Sequence, residues 1–572
     1  MRDGVDEGGA GVVRQTGGKM LVDCLLVHGV DTVFCVPGES YLTVLDALHD
    51  VQDRIRVIVG RHEASVAQMA EAYGKLTGKP GICFVTRGPG ASHAAIGVHT
   101  AFCDATPLIL FIGQVARDQI GRNAFQEMDY HGLFDRTAKW VTEIQDPNRI
   151  PELIGRAFHT AVNGNGGPVV ISIPEDMQNE VCSAFTPAQY RHAGTAPDAT
   201  ALKELRTLVK TAARPLLILG GGGWSPQAVN DIRTFAEHFG LPVATGFRRQ
   251  DLFDNYHCNY IGDIGIATNR ELIAQIGEAD LLLVVGERLG DITSAGYTIF
   301  AHPRPVQRLI HVHAGAEELG ALYEADLLIN ATARDFSRAA ARLAFGTNTD
   351  VTIDRKAWIE RGHTAYERFS APPASGQPRI DVARIISELS TRLPDTAIIT
   401  NGAGLYTAFV HRFYKFRAYG SQLAPTTGAM GYGLPAAIAA KVVHPDRPAV
   451  CFAGDGCFMM AAQELATAVM YGLDLIVIVI DNSSYGSIRH HQEKFFPGRV
   501  IATDLVSPDF VTLAHSFGAY AERIEATEDF AAAFERAQAS GRPALLTFRQ
   551  EISEVVQVRP ANTDTRAAEP IA

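Results

Sequence analysis

Two apolar runs near the carboxyl end of the chain stand out. Pro448 to Ala453 reads PAVCFA and stops at Gly454-Asp455-Gly456; Leu475 to Ile480 reads LIVIVI and stops at Asp481-Asn482. A helical stretch separates them. Uninterrupted apolar runs of this length, joined by one helix, predict parallel strands of a βαβ unit covered on both faces. A right-handed crossover places the carboxyl ends of both strands on the same sheet edge. Asp455 and Asn482 are therefore expected to converge.

The same alternation of strand and helix patterns runs along the whole chain and predicts an α/β fold of three doubly wound parallel-sheet domains. Residues 19–185 form the first, with strands near Thr32–Val36, Ile55–Val59, Gly81–Thr86, Leu108–Ile112 and Pro168–Ile173. A polar stretch from Thr186 to Thr200 reads as a linker. Residues 201–345 form the second, with strands near Leu216–Leu219 and Leu281–Val285. Thr347–Asp350 and the Pro/Ala/Ser/Gly run from Ser370 to Gly376 read as a further linker, and residues 379–555 form the third domain. Residues 1–18, rich in glycine, and 560–572, polar, are expected to be loose tails.

Composition narrows the function. The 572 residues carry a net charge of −12 and no basic block, which argues against nucleic acid as a partner. The eight cysteines (24, 35, 83, 103, 182, 258, 451 and 457) form no CxxC and lie mostly in apolar runs. Reduced thiols of a cytoplasmic protein are the simplest expectation. No apolar window is long enough to span a membrane, and the amino terminus lacks the core of a signal peptide.

Candidate chemistry sits at the strand ends. Two hard oxygen ligands, Asp455 and Asn482, at a crevice beside a helix start suit Mg²⁺ bound to a diphosphate, because Mg²⁺ takes few protein ligands and fills its octahedron with phosphate and water. Glycines 454 and 456 let backbone approach the anion, and the helix start supplies N–H groups. An acid at an ordinary strand-to-helix turn would look similar. Arg61-His62-Glu63 follows a strand and opens a helix predicted over Ala64–Leu76, which puts Glu63 where a helix dipole favours a carboxylate; helix-start acids with no further role also occupy such positions.

Gly-Asp-Gly, residues 457–480 and an Asn-bearing strand end together resemble the thiamine diphosphate (ThDP) motif. Over residues 19–555 the chain resembles the acetohydroxyacid synthase and pyruvate decarboxylase superfamily. The resemblance implies pyrimidine-binding, central and diphosphate-binding domains in that order. It implies that Asp455, Asn482 (second of a pair that is usually Asn-Asn) and the backbone carbonyl of Ser484 hold Mg²⁺, with Gly454, Gly456, Cys457, Tyr485 and Gly486 beside the cofactor. Glu63 would hydrogen-bond the aminopyrimidine ring and so activate the cofactor, which supplies the electron sink. The segment from Leu423 to Pro435 resembles the one that grips the pyrimidine: Thr427, Gly428 and Met430 would contact it, with Met430 as an adaptable wedge. Arg87-Gly88-Pro89-Gly90 resembles a Ser-Gly-Pro-Gly turn, whose Gly88 and Gly90 would approach the thiazolium. Phe125-Gln126-Glu127 matches the family's FQE, with Gln126 facing the substrate. A homodimer or homotetramer with the active site at a subunit interface is implied as well.

Three positions depart from acetohydroxyacid synthases. Glu39 stands where that group has a small residue and pyruvate decarboxylases have an acid, so it is a candidate for proton handling, although helix starts also select acids. Ile292 replaces an Arg that reads the carboxylate of the second keto acid, which removes bidentate recognition at that point. His491 replaces a Trp and is a candidate proton donor, although a solvated helix histidine would look the same. Gly220 to Gly223 follow a strand and suit either a nucleotide phosphate or a structural turn, which leaves FAD open for the central domain.

The expected activity is a ThDP- and Mg²⁺-dependent carboligase or decarboxylase, a transferase or lyase. It would decarboxylate a 2-keto acid and pass the acyl unit to a carbonyl acceptor, with Glu63, Glu39, Gln126 and His491 as catalytic candidates. The alternatives are a 2-hydroxyacyl-CoA lyase, a flavin-linked pyruvate oxidase-like enzyme, and a non-catalytic ThDP-fold binding protein; retention of both Glu63 and the Mg²⁺ pair weighs against the last.

Overall fold

Leu281–Val285, Ala449–Gly454 and Ile476–Asp481 are strands whose aliphatic side chains are buried on both faces, as their unbroken apolar runs require. Each fully buried aliphatic contributes about 1.5–3 kcal/mol, so these runs anchor the sheets they belong to. The computed structural model describes residues 13–184, 187–344, 352–373 and 379–550. It divides near residue 192 into two compact units. The first contains one six-stranded parallel sheet and the second contains two. No helix among the described residues is long and apolar enough to cross a membrane.

In the first unit the sheet strands are Thr32–Cys35, Arg56–Val59, Gly81–Val85, Leu108–Gln114, Trp140–Glu143 and Pro168–Pro174. Numbered in chain order they lie side by side as 2-1-3-4-6-5. The last sheet of the chain is built from Ile398–Asn401, Gln422–Leu423, Ala449–Gly454, Ile476–Asp481, Tyr520–Arg523 and Ala544–Arg549, and it has the same order. The two domains that the resemblance assigns to the two ends of one cofactor thus share one topology. The middle sheet differs. Its strands Pro215–Leu219, Val243–Thr245, Tyr260–Asp263, Leu281–Val285, Arg308–His313 and Leu327–Asn330 run 3-2-1-4-5-6.

Several expectations change. The segment 13–18 is not tail: Val13–Thr16 pairs antiparallel with Val181–Ala184, and Thr16 caps the helix Gly17–Val27 by accepting from the Lys19 N–H. Gly17 and Gly18 are buried because Met177 and Thr43 backbone atoms come within 3 Å of where a Cβ would stand. The single helix expected before Ile476 is two short ones, Asp455–Met459 and Glu464–Met470. The turn between them carries Met460 against Gly431, where an added Cβ would lie 2.9 Å from the Met460 Cβ.

A helix unforeseen in the sequence, Ile353–Ser370, follows the middle sheet. Arg355 ties it down: its buried guanidinium donates to the carbonyls of Phe239, Val209 and Ala212, which satisfies helix-end acceptors that would otherwise lack partners. Residues 1–12, 347–350, 374–376 and 551–572, which carry the other tail and linker expectations, lie outside the described residues.

Within the second unit the middle and last sheets are stitched by buried amides. The Gln250 N–H donates to Gln422 Oε1 at 2.8 Å, and the Asn255 N–H donates to the Phe416 carbonyl at 2.8 Å. None of the eight cysteines is in a disulfide among the described residues; six are buried, Cys103 is intermediate and Cys258 is exposed.

Candidate active site

The strand Ala449–Gly454 hands over directly to the helix Asp455–Met459, and the parallel neighbour Ile476–Asp481 sets Ile480 opposite Gly454. Asp455 and Asn482 consequently leave the same sheet edge. A cavity of about 260 Å³ opens there, and its wall includes Gly428, Met430, Gly454, Asp455, Gly456, Cys457, Asn482, Ser484, Tyr485 and Gly486. Thr427 precedes Gly428 in the chain but is not part of this wall.

The electrostatics of the cavity call for a cation. Asp455 is buried, and its carboxyl is held above the usual carboxylate range first by burial and then by the nearby Asp481. The Ser507 hydroxyl lies 3.0 Å from a carboxylate oxygen of each acid. One hydroxyl carries one proton, so it serves one acid at a time. Asp481 is also paired with Arg549 at 3.3 Å, which leaves Asp455, partly desolvated in the cavity wall, as the carboxyl placed to take a divalent ion. Asn482 Oδ1 accepts from the Ser484 N–H at 3.1 Å, which fixes the amide at the strand end. The Ser484 carbonyl accepts from Gly486 at 2.8 Å and keeps a second lone pair. An added Cβ at Gly456 would meet the Tyr485 ring at 2.8 Å, so backbone alone fits there.

Met430 packs partly buried against the core of the last sheet. Gly428, at φ 68°, turns the chain toward it, with its N–H on the Pro425 carbonyl. Cys457 serves as a local knot: its sulfur accepts from the Tyr406 hydroxyl and from the Gly431 N–H, both at 3.3 Å. Ser507→Ala is expected to destabilise the metal-free protein by about 1 kcal/mol, since the two acids lose their shared donor. Melts in chelator and in Mg²⁺ with ThDP check this; identical melts for variant and wild type in chelator refute the bridge.

A second cavity of about 390 Å³ shares Ala403, Gly404, Leu405, Gly428, Ser487 and Ile488 with the first. His491 and Ile292 both line it, as do Arg248, Asp263, His411 and Arg412. His491 stacks on Phe495 one helical turn away, with centroids 5.9 Å apart. Ile292 brings no cationic group to this cavity, but two arginines from elsewhere line it. Arg248 is buried and donates to the Pro425 carbonyl, and Arg412 donates to the Phe369 carbonyl at 2.7 Å. Two guanidiniums thus border the cavity from other elements.

Burial pushes the His411 imidazole down to about 3, with Arg248 adding to the effect, and its Nε2 has no hydrogen-bond partner among the described residues. Burial pushes Asp263 up to about 7. The folded chain therefore holds a proton on Asp263 that the unfolded chain releases near 3.8, and stability falls as pH rises between those values. Asp263→Asn is expected to flatten that decline and to raise Tm above wild type at mildly alkaline pH. Thermal melts across the range decide, and an unchanged pH slope refutes the assignment.

In the first unit Glu63 opens the helix Glu63–Thr77, and its carboxylate meets His93 Nδ1 at 2.8 Å. The His93 ring stacks on His62 at 4.5 Å. Gly90 lies against Glu63, with an added Cβ 3.7 Å from Glu63 Cγ. The Gly88 N–H donates to the Gln126 carbonyl at 3.0 Å, and a Cβ on Gly88 would come within 2.9 Å of that oxygen. Glu63, Gly88, Gly90 and Gln126 are thereby brought together, with Gln126 in the left-handed region at φ 64°. Glu127 accepts from the Ala124 N–H at 2.9 Å and closes the loop. Glu39 differs: it is exposed in the first turn of a short 3₁₀ segment, where a plain helix-start acid would sit.

Sequence reasoning missed Ser507, His93, His411 and Asp263. His93 had a readable signal, since it stands one turn after Gly90 on the same helix face. Ser507 had none, because only the folded loop brings it to Asp455.

Three family models match the chain in succession. They describe the N-terminal TPP binding domain of thiamine pyrophosphate enzymes over residues 15–133, the central domain over 202–340 and the C-terminal TPP binding domain over 402–548. Similar full-length proteins include the acetolactate synthase large subunit of Parasynechococcus marenigrum, 34% identical over 522 residues that cover 88% of this chain and 82% of the relative. That of Corynebacterium glutamicum is 31% identical over 564 residues, covering 96% and 88%. A probable acetolactate synthase large subunit of Methanocaldococcus jannaschii is 31% identical over 575 residues, covering 97% and 95%.

Proposed function

Since the chain belongs to the thiamine pyrophosphate enzymes of the acetolactate synthase-like family, we propose that it decarboxylates a 2-keto acid and transfers the acyl unit to a carbonyl acceptor, using ThDP and Mg²⁺. ThDP, when bound, supplies the nucleophile and electron sink that such cleavage requires. Asp455, Asn482 and the Ser484 carbonyl would hold Mg²⁺ and, through it, the diphosphate. Gly454, Gly456, Cys457, Tyr485 and Gly486 would form the wall on that side, with Thr427, Gly428 and Met430 at the ring. Glu63 would hold and exchange the proton that activates the cofactor, with His93 orienting its carboxylate. Gly88 and Gly90 would let backbone come close, and Gln126, Glu39 and His491 would orient substrate and move its protons.

The observation that carries this reading is the buried Asp455 carboxyl, which shares the Ser507 hydroxyl with Asp481 and lies in the wall of a cavity that Asn482, Ser484, Gly428 and Met430 also line. An acceptor choice different from that of the relatives is part of the proposal. Its support is the adjoining cavity, where Ile292 and His491 stand beside Arg248 and Arg412. A homodimer or homotetramer and a cytoplasmic setting complete it, the latter supported by cysteines that lie mostly in the apolar core. A panel of 2-keto acids with graded side chains, assayed for CO₂ and for coupled products, tests the reading. CO₂ release that needs both ThDP and Mg²⁺ is expected. Metal-replete protein that takes up no ThDP in calorimetry would overturn it.

A further inference from the structure

The middle sheet has the 3-2-1-4-5-6 strand order of dinucleotide-binding folds, in which the ligand lies across the crevice at the carboxyl ends of the strands, where the order reverses. Its first strand, Pro215–Leu219, leads into Gly220-Gly221-Gly222-Gly223 and then the helix Pro226–Phe239. This is the place in the chain where a flavin dinucleotide would be sought, and the residues present do not fit one.

The crevice contains a side chain of the protein itself. A Cβ added to Gly220, after the first strand, would lie 1.9 Å from Glu287 Oε2; one added to Gly246, after the second, would lie 2.1 Å from the same oxygen. Glu287 follows the fourth strand, Leu281–Val285, so its carboxylate lies over the ends of three strands at the reversal point. It is fixed there: the Thr293 hydroxyl donates to Glu287 Oε1 at 3.0 Å, while burial holds its carboxyl above the usual carboxylate range against the opposing pull of Thr293, Arg249 and Arg288.

The first two glycines of the run are accounted for by this packing. Gly220 makes room for Glu287, and Gly221, at φ 64°, has the Gly286 carbonyl oxygen 1.8 Å from where its Cβ would be. The helix start is also committed. Its first residue, Pro226, has no N–H to offer, Ser225 Oγ takes the Ala228 N–H at 3.2 Å, and the Trp224 indole donates to the Gly220 carbonyl at 2.8 Å. Free N–H groups at a helix start are what bind a diphosphate, and here they are few.

We infer that Glu287 closes the dinucleotide crevice of the middle domain with a fixed internal side chain, so that the enzyme works without FAD or any other dinucleotide there. Volume carries the exclusion, since a diphosphate would meet the fixed Glu287 side chain where it would have to lie. An oxidase-type outcome, which needs an electron acceptor, then has no flavin in this domain to serve it.

The test uses the full-length holoenzyme purified with ThDP and Mg²⁺. Released nucleotide and visible absorbance are measured, then melts with FAD or ADP at about 1 mM, a concentration at which a micromolar ligand would add several kcal/mol. Wild type is expected to carry less than about a tenth of a flavin per chain, to show no shift of Tm, and to be equally active with and without FAD. Near-stoichiometric flavin, or a clear FAD-induced rise in Tm, overturns the inference. Glu287→Ala is expected to gain an ADP- or FAD-dependent shift; a folded variant that gains none overturns the role given to Glu287. The wild-type measurement decides alone if the variant does not fold. ThDP uptake on the same material separates failure here from failure of the proposed function.

Discussion

Asp455→Ala is expected to abolish ThDP- and Mg²⁺-dependent turnover without destabilising the metal-free protein. A carboxylate that holds the metal contributes several kcal/mol to charge stabilisation, which at 1.36 kcal/mol per decade corresponds to a loss of roughly 10³-fold or more. The second half of the expectation follows from the burial of Asp455 and its repulsion by Asp481, both of which raise its carboxyl. Removing the group relieves that repulsion, so Tm in chelator should stay level or rise. The rise in Tm that Mg²⁺ and ThDP give wild type should vanish. Steady-state rates and paired melts check both halves. A variant that keeps its cofactor-dependent rise in Tm would remove Asp455 from the metal site.

Glu63→Gln is expected to lower kcat by roughly 10²–10⁴-fold, the usual span for a positioned proton carrier. Glutamine keeps the shape and a hydrogen bond for His93 but no longer exchanges a proton. ThDP affinity, measured by calorimetry, should therefore change by no more than a few-fold. This split separates proton handling from packing, because a packing role would lower affinity and rate together. Full activity of the variant would contradict the activation role.

The outline of the fold and of the second-unit cavity was legible because parallel strands leave little freedom. Once the runs ending at Gly454 and Asp481 are read as neighbours in one sheet, the convergence of Asp455 and Asn482 follows from handedness alone. The same logic placed Leu281–Val285, Leu108–Gln114 and Pro168–Pro174 within a residue or two. It failed where burial is achieved by polar groups. Ile353–Ser370 hides a face that includes Arg355, whose partners are carbonyls from two other helices, so its sequence does not advertise an apolar stripe. Arg308–His313 places His311 and His313 in the interior, which broke the aliphatic signal of that strand.

Site residues contributed by loops were illegible for a different reason. Ser507 follows the fully exposed Val506 and reaches Asp455 across 52 residues of sequence. The glycine run at 220–223 was legible as glycine but not as a socket for Glu287, because the two lie far apart in the chain. Glu39 remains a proposal: its exposed position at a helix start is what an acid with no catalytic task would also adopt.

The sulfur knot at Cys457 turns the chain into its own reporter. Cys258 faces solvent, whereas Cys457 is buried in the wall that also carries Asp455, held by Tyr406 and Gly431. A thiol-modifying reagent should therefore consume Cys258 at once and reach Cys457 only when that wall breathes. Anything seated in the cavity should slow the second reaction, so alkylation kinetics would serve as an occupancy gauge that needs no knowledge of the substrate.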